Sequence, residues 1–373
     1  MSGGDPRHLP AAAQADLAER IAFHGQNIYG AAAAFNSSPL YARLCLDIAA
    51  DPDLLTLIAD ADRAAQVANL LFAAVHYLLL ANPSHPLAAF FPDLTDRTPA
   101  IDGRELPRPA AEAYPVFRAF CLEHAAAIRH LVTTRRVQTN EVRRCAILLP
   151  AFALVSRRAG GRPLALIEIG ASAGLLMLWD QYRYDYGPAG TAGDPAAPLL
   201  LTCEPRGPHL PSLPTTLPTV VSRIGLDLNP IDVRDDNAMR WLRALIWPEH
   251  ADRVQMLEAA LAVARQQPPH IVAGNATQTL PALLAAAPPD AALCVYSSYA
   301  LNQMPADVRQ RVLAALTAAA HARDLYRISQ EWYGQQAQPR LELFTYTAAE
   351  TRSELLAHAE SHGRWIEWLG PNM

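Results

Sequence analysis

Leu164-Ala165-Leu166-Ile167-Glu168-Ile169-Gly170-Ala171-Ser172-Ala173-Gly174 is the stretch on which the fold turns. A six-residue apolar run is short for a helix and suits a strand buried on both faces. It ends in an acid and a tight turn with two glycines, and a helix is expected from there through Tyr182. Glycines let backbone approach a ligand closely, and a helix N-terminus offers N–H groups and positive potential.

Downstream, short apolar runs continue to alternate with helical stretches. Strands are expected at 164–169, 223–228, 270–273, 292–297 and 325–330, the last after a helix over 305–323. The tail adds strands at 341–346 and 365–369 around a helical stretch at 350–360. Repeated β-α alternation implies a mostly parallel, doubly wound sheet with an antiparallel last strand. The segment 187–219 holds eight prolines and four glycines. It reads as part of an inserted hairpin spanning about 183–220, built from 182–185 and 199–202.

Upstream the texture is helical. Apolar residues fall at helical spacing over 16–35, 39–49, 53–60, 64–80, 111–131 and 139–159, with Ser38, Asp51 and Thr139 or Asn140 as N-caps. Residues 82–109 form a long Pro-rich connection of the kind that serves as a lid or binding loop. The expected organisation is an all-α lid or substrate domain over 1–135, followed by an α/β domain over 136–373.

Composition narrows the chemistry. The chain has 373 residues and a net charge of −5, which argues against a protein that coats nucleic acid. All 31 basic side chains are Arg and no Lys occurs. That excludes a Schiff-base lysine, a Walker-type phosphate lysine and a kinase strand lysine. Cys45, Cys121, Cys145, Cys203 and Cys294 are odd in number and never spaced C-x-x-C, so reduced thiols in a cytoplasm are expected, with no metal cluster. Met1–Pro10 has no apolar leader, and 64–81 carries Gln66, Asn69 and His76, so neither a signal peptide nor a membrane span is expected.

The glycine turn has two readings. In S-adenosylmethionine-dependent methyltransferases of the Rossmann-like class such a turn holds the methionine end of the cofactor, and a second acid ending the next strand binds the ribose hydroxyls. Glu168, Gly170, Ala171, Ser172 and Gly174 suit the first role, and Asp227 with Leu228 suits the second. Asp227 lies 57 residues after Gly170, against about 20 in a dinucleotide fold, and the insert accounts for the excess. Asn275 and Ala276 stand where adenine is contacted, and Ser297 ends the fourth strand. Ser297-Ser298-Tyr299 replaces the Asn-Pro-Pro-Tyr type of loop of many base-modifying methyltransferases, which argues against a nucleic-acid base as substrate. The same five residues also spell G-x-S-x-G, the nucleophile elbow of α/β-hydrolases, with Ser172 as nucleophile. Against it, everything upstream of Leu164 reads helical and no HGG-type oxyanion stretch occurs.

Seven further stretches extend the pattern: Ser38-Pro39-Leu40-Tyr41, the run around His76, Gln138 to Arg143, Glu168 to Gly174, Tyr182 to Gly187, Arg223 to Pro230 and His362 to Leu369. Together they resemble a bacterial family, domain of unknown function 2332, over nearly the whole chain. The resemblance implies a methyltransferase-like core behind a helical N-terminal region, and it implies no substrate. One departure is Asn275, where an Asp is expected.

Other candidates stand outside the turn. Asn140 or Arg143 can hold the methionine carboxylate, since an Arg fork matches it, or the segment simply caps and solvates its helix. His85 in the long connection is a candidate general base, since histidine is the residue type most often used for that role. Glu331 ends the fifth strand, and Tyr184 shares a strand face with Tyr182 and Tyr186. The expectation is a bacterial, cytoplasmic enzyme that moves the methyl of S-adenosylmethionine to a small-molecule acceptor. Alternatives are transfer or cyclisation of the aminocarboxypropyl arm, a non-catalytic S-adenosylmethionine-binding protein, and a serine hydrolase.

Overall fold

Strand β1 (Leu164–Ile169) is buried at every position, as a parallel strand is when helices cover both faces of its sheet. A computed structural model describes residues 9–26, 38–61, 66–95, 108–334 and 336–371. It has two compact units, Met1–Thr139 with Asp236–Gln255, and Asn140–Asp235 with Met256–Met373.

The second unit is mixed α/β. After β1 come β2 (Arg183–Asp185), β3 (Thr191–Ala192), β4 (Leu200–Thr202), β5 (Glu204–Arg206) and β6 (Val220–Asp227). Then follow β7 (Ile271–Ala273), β8 (Ala292–Ser298), β9 (Leu325–Glu331), β10 (Arg340–Tyr346), β11 (Thr351–Ala359) and β12 (Trp365–Trp368). Among the described residues nine of them make one sheet, in the order β5-β12-β11-β10-β9-β8-β1-β6-β7. The part from β9 to β7 is parallel throughout. From β1 the chain steps outward to β6 and β7, then returns to the opposite side of β1 with β8 and β9. Open α/β sheets bind their ligands at such a reversal, outside the C-terminal ends of the strands.

Helices cover both faces of this sheet. Ala165, Ile167 and Ile169 pack with Leu280 and Leu284 of the helix Ala276–Ala286 and with Val312 and Leu316 of Ala306–Ala320. On the other face Tyr296 meets Phe152 of the helix Cys145–Arg158, and Phe152 stacks on Trp179 with ring centroids 4.8 Å apart. Each such fully buried apolar side chain contributes about 1.5–3 kcal/mol.

Three elements differ from the expectation. Residues 350–360, expected to be helical, contain β11, which pairs antiparallel with both β10 and β12. The turn closed by Thr347 N–H on Glu350 O at 2.9 Å starts a hairpin. Burial of Leu356, Ala357 and Ala359 then outweighs the helix propensity of Glu-Leu-Leu-Ala. The antiparallel part therefore comprises the last three strands, not the last one, and β5 adds a parallel edge beyond β12.

The stretch after Gly174 is a 3-10 helix, Leu175–Gln181, broken at Leu178. The hydroxyls of Tyr182 and Tyr184 donate to the carbonyls of Leu175 and Trp179, acceptors that a continuous α-helix would use for its own N–H groups. The insert is not a simple hairpin. β2 pairs parallel with β4 and antiparallel with β3 in a separate small sheet.

The regular elements of the first unit, among the described residues, are helices. Ser38 accepts from Tyr41 N–H and starts the helix Pro39–Ala49, and Asp51 caps Pro52–Leu57. The expected helix 111–131 is two, Ala113–Glu123 and Ala125–Thr134. Residues 236–255 join this unit, where Trp241 lies in the core and donates from Nε1 to Arg136 O at 2.9 Å. Among the described residues no helix is long and apolar enough to cross a membrane. All five cysteines are free and buried.

Candidate functional site

The turn after β1 is set by its backbone. Gly170, Ser172 and Gly174 have φ of 79°, 55° and 73°, a region costly for every residue but glycine. A Cβ on Gly170 would stand 2.3 Å from the Ala300 Cβ, and one on Gly174 would stand 2.5 Å from the Pro269 Cβ. Both glycines are therefore required by chain packing as well as by φ.

The N–H groups of this turn face the protein. Gly170 and Ala171 donate to Leu226 O at 2.8 and 3.4 Å, and Gly174 donates to Ala171 O at 2.7 Å. Ser172 donates to Asp227 Oδ2 at 2.8 Å, and Leu175 donates to Asn140 Oδ1 at 2.9 Å. The expectation of open N–H groups at a helix end is thus corrected. The N–H groups of Gly170, Ala171, Ser172, Gly174 and Leu175 are engaged within the protein, and the following helix is a short 3-10 piece.

Asp227 joins three loops. Its Oδ2 holds the turn after β1, its Oδ1 accepts from Asn229 N at 2.7 Å, and its carbonyl accepts from Gly274 N at 2.9 Å. Beside it Leu228 is 69% exposed. Asn275 caps the helix Ala276–Ala286, its Oδ1 accepting from Thr277 N at 3.0 Å and Thr277 Oγ1 at 2.9 Å, and Ala276 is buried behind it. Asn140 does not cap its own helix, which begins as the 3-10 turn Val142–Arg144. Its side chain pins the exit of the glycine turn instead.

Glu168 lies in the sheet beneath the turn and accepts from Tyr296 OH at 3.0 Å. Burial pushes its carboxyl well above the ordinary carboxylate range, and the nearby Asp227 charge adds to this against the Tyr296 bond. Arg143 is buried, and its main chain packs under Gly363, where a Cβ would lie 2.6 Å from Arg143 O.

The remaining candidates are engaged elsewhere. Ser297 Oγ donates to Glu331 Oε1 at 2.7 Å. That carboxylate also accepts from the N–H groups of Ala300, Leu301 and Asn302, so it organises the loop after β8. Burial raises the pKa of Glu331 and these bonds oppose the rise. Tyr184 is buried, with its hydroxyl on Trp179 O at 2.5 Å. His85, in the first unit, caps the 3-10 helix Pro86–Phe90 through Nδ1, which accepts from Leu87 N at 3.1 Å. Asn140, the glycine turn and Asp227 are thus linked through bonds, Gly274 joins them beside Asn275, Ser297 and Glu331 form a second group, and Tyr184 and His85 belong to neither.

Sequence reasoning missed Tyr299. It follows β8 and, with Ser172, is one of two non-glycine residues at positive φ among the described residues, at 57°. The Arg144 guanidinium lies 4.1 Å from its ring centroid and donates through Nε to Ser361 O at 2.8 Å. The one signal in the sequence was an aromatic residue directly after the fourth parallel strand. Ser172 Oγ is buried without a hydrogen-bond partner, so no base activates it as an elbow serine requires.

Against this geometry, a family model described as an uncharacterized protein conserved in bacteria, DUF2332, matches residues 26–368. No curated protein and no solved structure matches the chain.

Proposed function

The chain belongs to the bacterial DUF2332 family, and we propose that it is an S-adenosylmethionine-dependent transferase that methylates a small-molecule acceptor. The reading takes the parallel strands as a Rossmann-like methyltransferase core and the helical first unit as an all-α domain. The observation that carries it is the Asp227 carboxylate, which ends the strand next to β1 and bonds the glycine turn at 2.8 Å.

The residues present suit this cofactor better than a phosphate-bearing one. The Asp227 carboxylate ends the strand beside β1, and a carboxylate is the acceptor type that suits a ribose diol, each of its oxygens accepting more than one donor. Exposed Leu228 offers an apolar surface for the adenine face. Asn275 has its oxygen on Thr277 and offers Nδ2 donors, which suit a ring nitrogen rather than the N6 amine. The engaged N–H groups of Gly170, Ala171, Ser172, Gly174 and Leu175 disfavour a dinucleotide pyrophosphate. The methionine end of the cofactor carries no phosphate, and Arg143 is the candidate for its carboxylate.

When bound, the cofactor supplies an electrophilic sulfonium methyl. This chain's residues orient and shield. Asp227 fixes the ribose, Asn140 holds the exit of the turn, and buried Glu168 lies in the sheet beneath it. None of His85, Glu331 and Tyr184 offers an open base. His85 Nδ1 is occupied, which places its proton on Nε2, Glu331 holds four donors, and the Tyr184 hydroxyl is on a carbonyl. Rate enhancement then comes from proximity and alignment of an acceptor that is already nucleophilic.

Calorimetric titration of the full chain with S-adenosylmethionine and S-adenosylhomocysteine tests the reading. Micromolar binding of both, lost in a folded Asp227→Ala variant, is expected. Absence of binding to either ligand overturns it.

A further inference from the structure

Three buried polar atoms at the ends of β8 and β9 have no hydrogen-bond partner: Tyr299 OH, Asn302 Oδ1 and Gln330 Nε2. Buried polar groups are satisfied in the great majority of cases, so a cluster of exceptions at the ligand edge of a doubly wound sheet requires a cause. We infer that these ends form the acceptor subsite, recognising an uncharged carboxamide- or hydroxyl-type group with Tyr299 as principal hydrogen-bond donor. The inference rests on the proposed function for its location, and it names the group by which the acceptor is held, which is distinct from the nucleophile that takes the methyl.

Tyr299 is held by every handle except its hydroxyl. Its N–H donates to Gln330 O at 2.9 Å, its carbonyl accepts from Gln303 Nε2, and Arg144 covers its ring. Its φ of 57° is costly for an aromatic residue. Such strain persists only where surrounding contacts over-determine it, and it concentrates at binding and catalytic sites. The fold thus fixes the ring in an expensive conformation and leaves its one polar terminus unused.

Gln330 stands opposite Ser298 in the β8–β9 register and is fully buried. Its Oε1 accepts from Ser298 Oγ at 3.1 Å, which directs the amide so that Nε2 is the unused end. Asn302 is fixed in the same way, with Nδ2 donating to Trp332 O at 3.0 Å and Oδ1 left over.

The unused set contains donors and an acceptor but no charge. The three charged neighbours are engaged, Glu331 by Ser297 and three N–H groups, Arg144 by Ser361 O and the Tyr299 ring, and Glu360 by Ser361 Oγ and the N–H groups of His362 and Arg364. Burial also raises the Tyr299 hydroxyl above its ordinary pKa, so it donates and does not act as a base. An anion or cation bound here would have no unspent countercharge, whereas a carbonyl or amide oxygen accepts from the Tyr299 hydroxyl or the Gln330 amide without one.

The test uses the full chain labelled with 3-fluorotyrosine, in which the fluorine resonance missing from Tyr299→Phe identifies Tyr299. N-methylacetamide, acetate and tetramethylammonium are titrated separately, with and without S-adenosylhomocysteine. A saturable shift of the Tyr299 resonance with N-methylacetamide alone is expected, weakened roughly three- to tenfold by Gln330→Ala, the weight of one uncharged hydrogen bond. Tyr299→Phe should melt no lower than the parent chain, because it removes an unsatisfied hydroxyl. No shift, an equal shift with either ion, or a marked fall in melting temperature in Tyr299→Phe overturns the inference. Calorimetry of S-adenosylhomocysteine on the same samples reports separately on the cofactor reading.

Discussion

The Asp227 carboxylate accepts the Ser172 backbone N–H at 2.8 Å, so the acid ending β6 and the turn ending β1 are one structural unit although 55 positions separate them. An acid that shapes the turn and, in the proposed function, binds the ribose has two separable effects when changed. Asp227→Asn keeps one oxygen and sets an amide against the other N–H. It should cost about 1–3 kcal/mol, the penalty for an unsatisfied buried donor, measured by urea unfolding. At a temperature where the variant is folded, S-adenosylmethionine affinity should also fall. Undiminished affinity would assign Asp227 to the fold alone.

The two glycines of the turn make a prediction independent of any ligand. Gly170→Ala adds a methyl 2.3 Å from the Ala300 Cβ at a φ of 79°. The overpacking and the conformational cost together should reach about 2–4 kcal/mol. Adding Ala300→Gly should restore the packing part but not the φ part. Full recovery in the double variant would show that the positive φ costs little here.

In the first unit a buried acid sets a pH dependence. Glu249 Oε1 accepts from Ser38 Oγ at 3.0 Å and Leu40 N at 3.1 Å, which docks the start of the helix Pro39–Ala49. Burial raises its pKa from 4.5 to about 7, against those two bonds. The folded state therefore binds the proton more tightly than the unfolded state. The stability this contributes is fully present below 4.5 and is lost as pH rises through about 7. Over that window stability should fall by at most about 1.4 kcal/mol per pH unit, and Glu249→Gln, which keeps the Oε1 acceptor, should flatten the profile. A variant with the same slope as the parent chain would assign the dependence to other groups.

The parallel half of the sheet was legible because each of its strands is a short apolar run between turn residues, and periodicity reports burial. β11 was not legible. Glu354, Leu355, Leu356 and Ala357 are good helix formers, and only pairing with β10 and β12, contacts set by tertiary structure, makes them a strand. The 3-10 piece after Gly174 was hidden for a similar reason, since its carbonyls are taken by tyrosine hydroxyls from a strand that follows it. At the site, the residue types of Glu168, Gly170, Gly174 and Asp227 could be read from spacing. That the turn's N–H groups point inward, and that Asn140 reaches Leu175, depends on backbone direction, which composition does not encode.

Ser172 separates the transferase from the hydrolase reading. Its hydroxyl has no partner and its φ is 55°, so the side chain contributes no bond to the fold. Ser172→Ala should change stability by less than about 0.5 kcal/mol, as for a substitution that removes no interaction. Ser172→Gly should raise it by up to about 1 kcal/mol, because the positive φ no longer carries a Cβ penalty. A serine nucleophile needs a base within hydrogen-bond reach, and none bonds this hydroxyl. Hydrolysis of p-nitrophenyl acetate by the purified chain should therefore be no faster than by Ser172→Ala. A burst of nitrophenol that disappears in Ser172→Ala would reinstate the elbow and displace the cofactor from the turn.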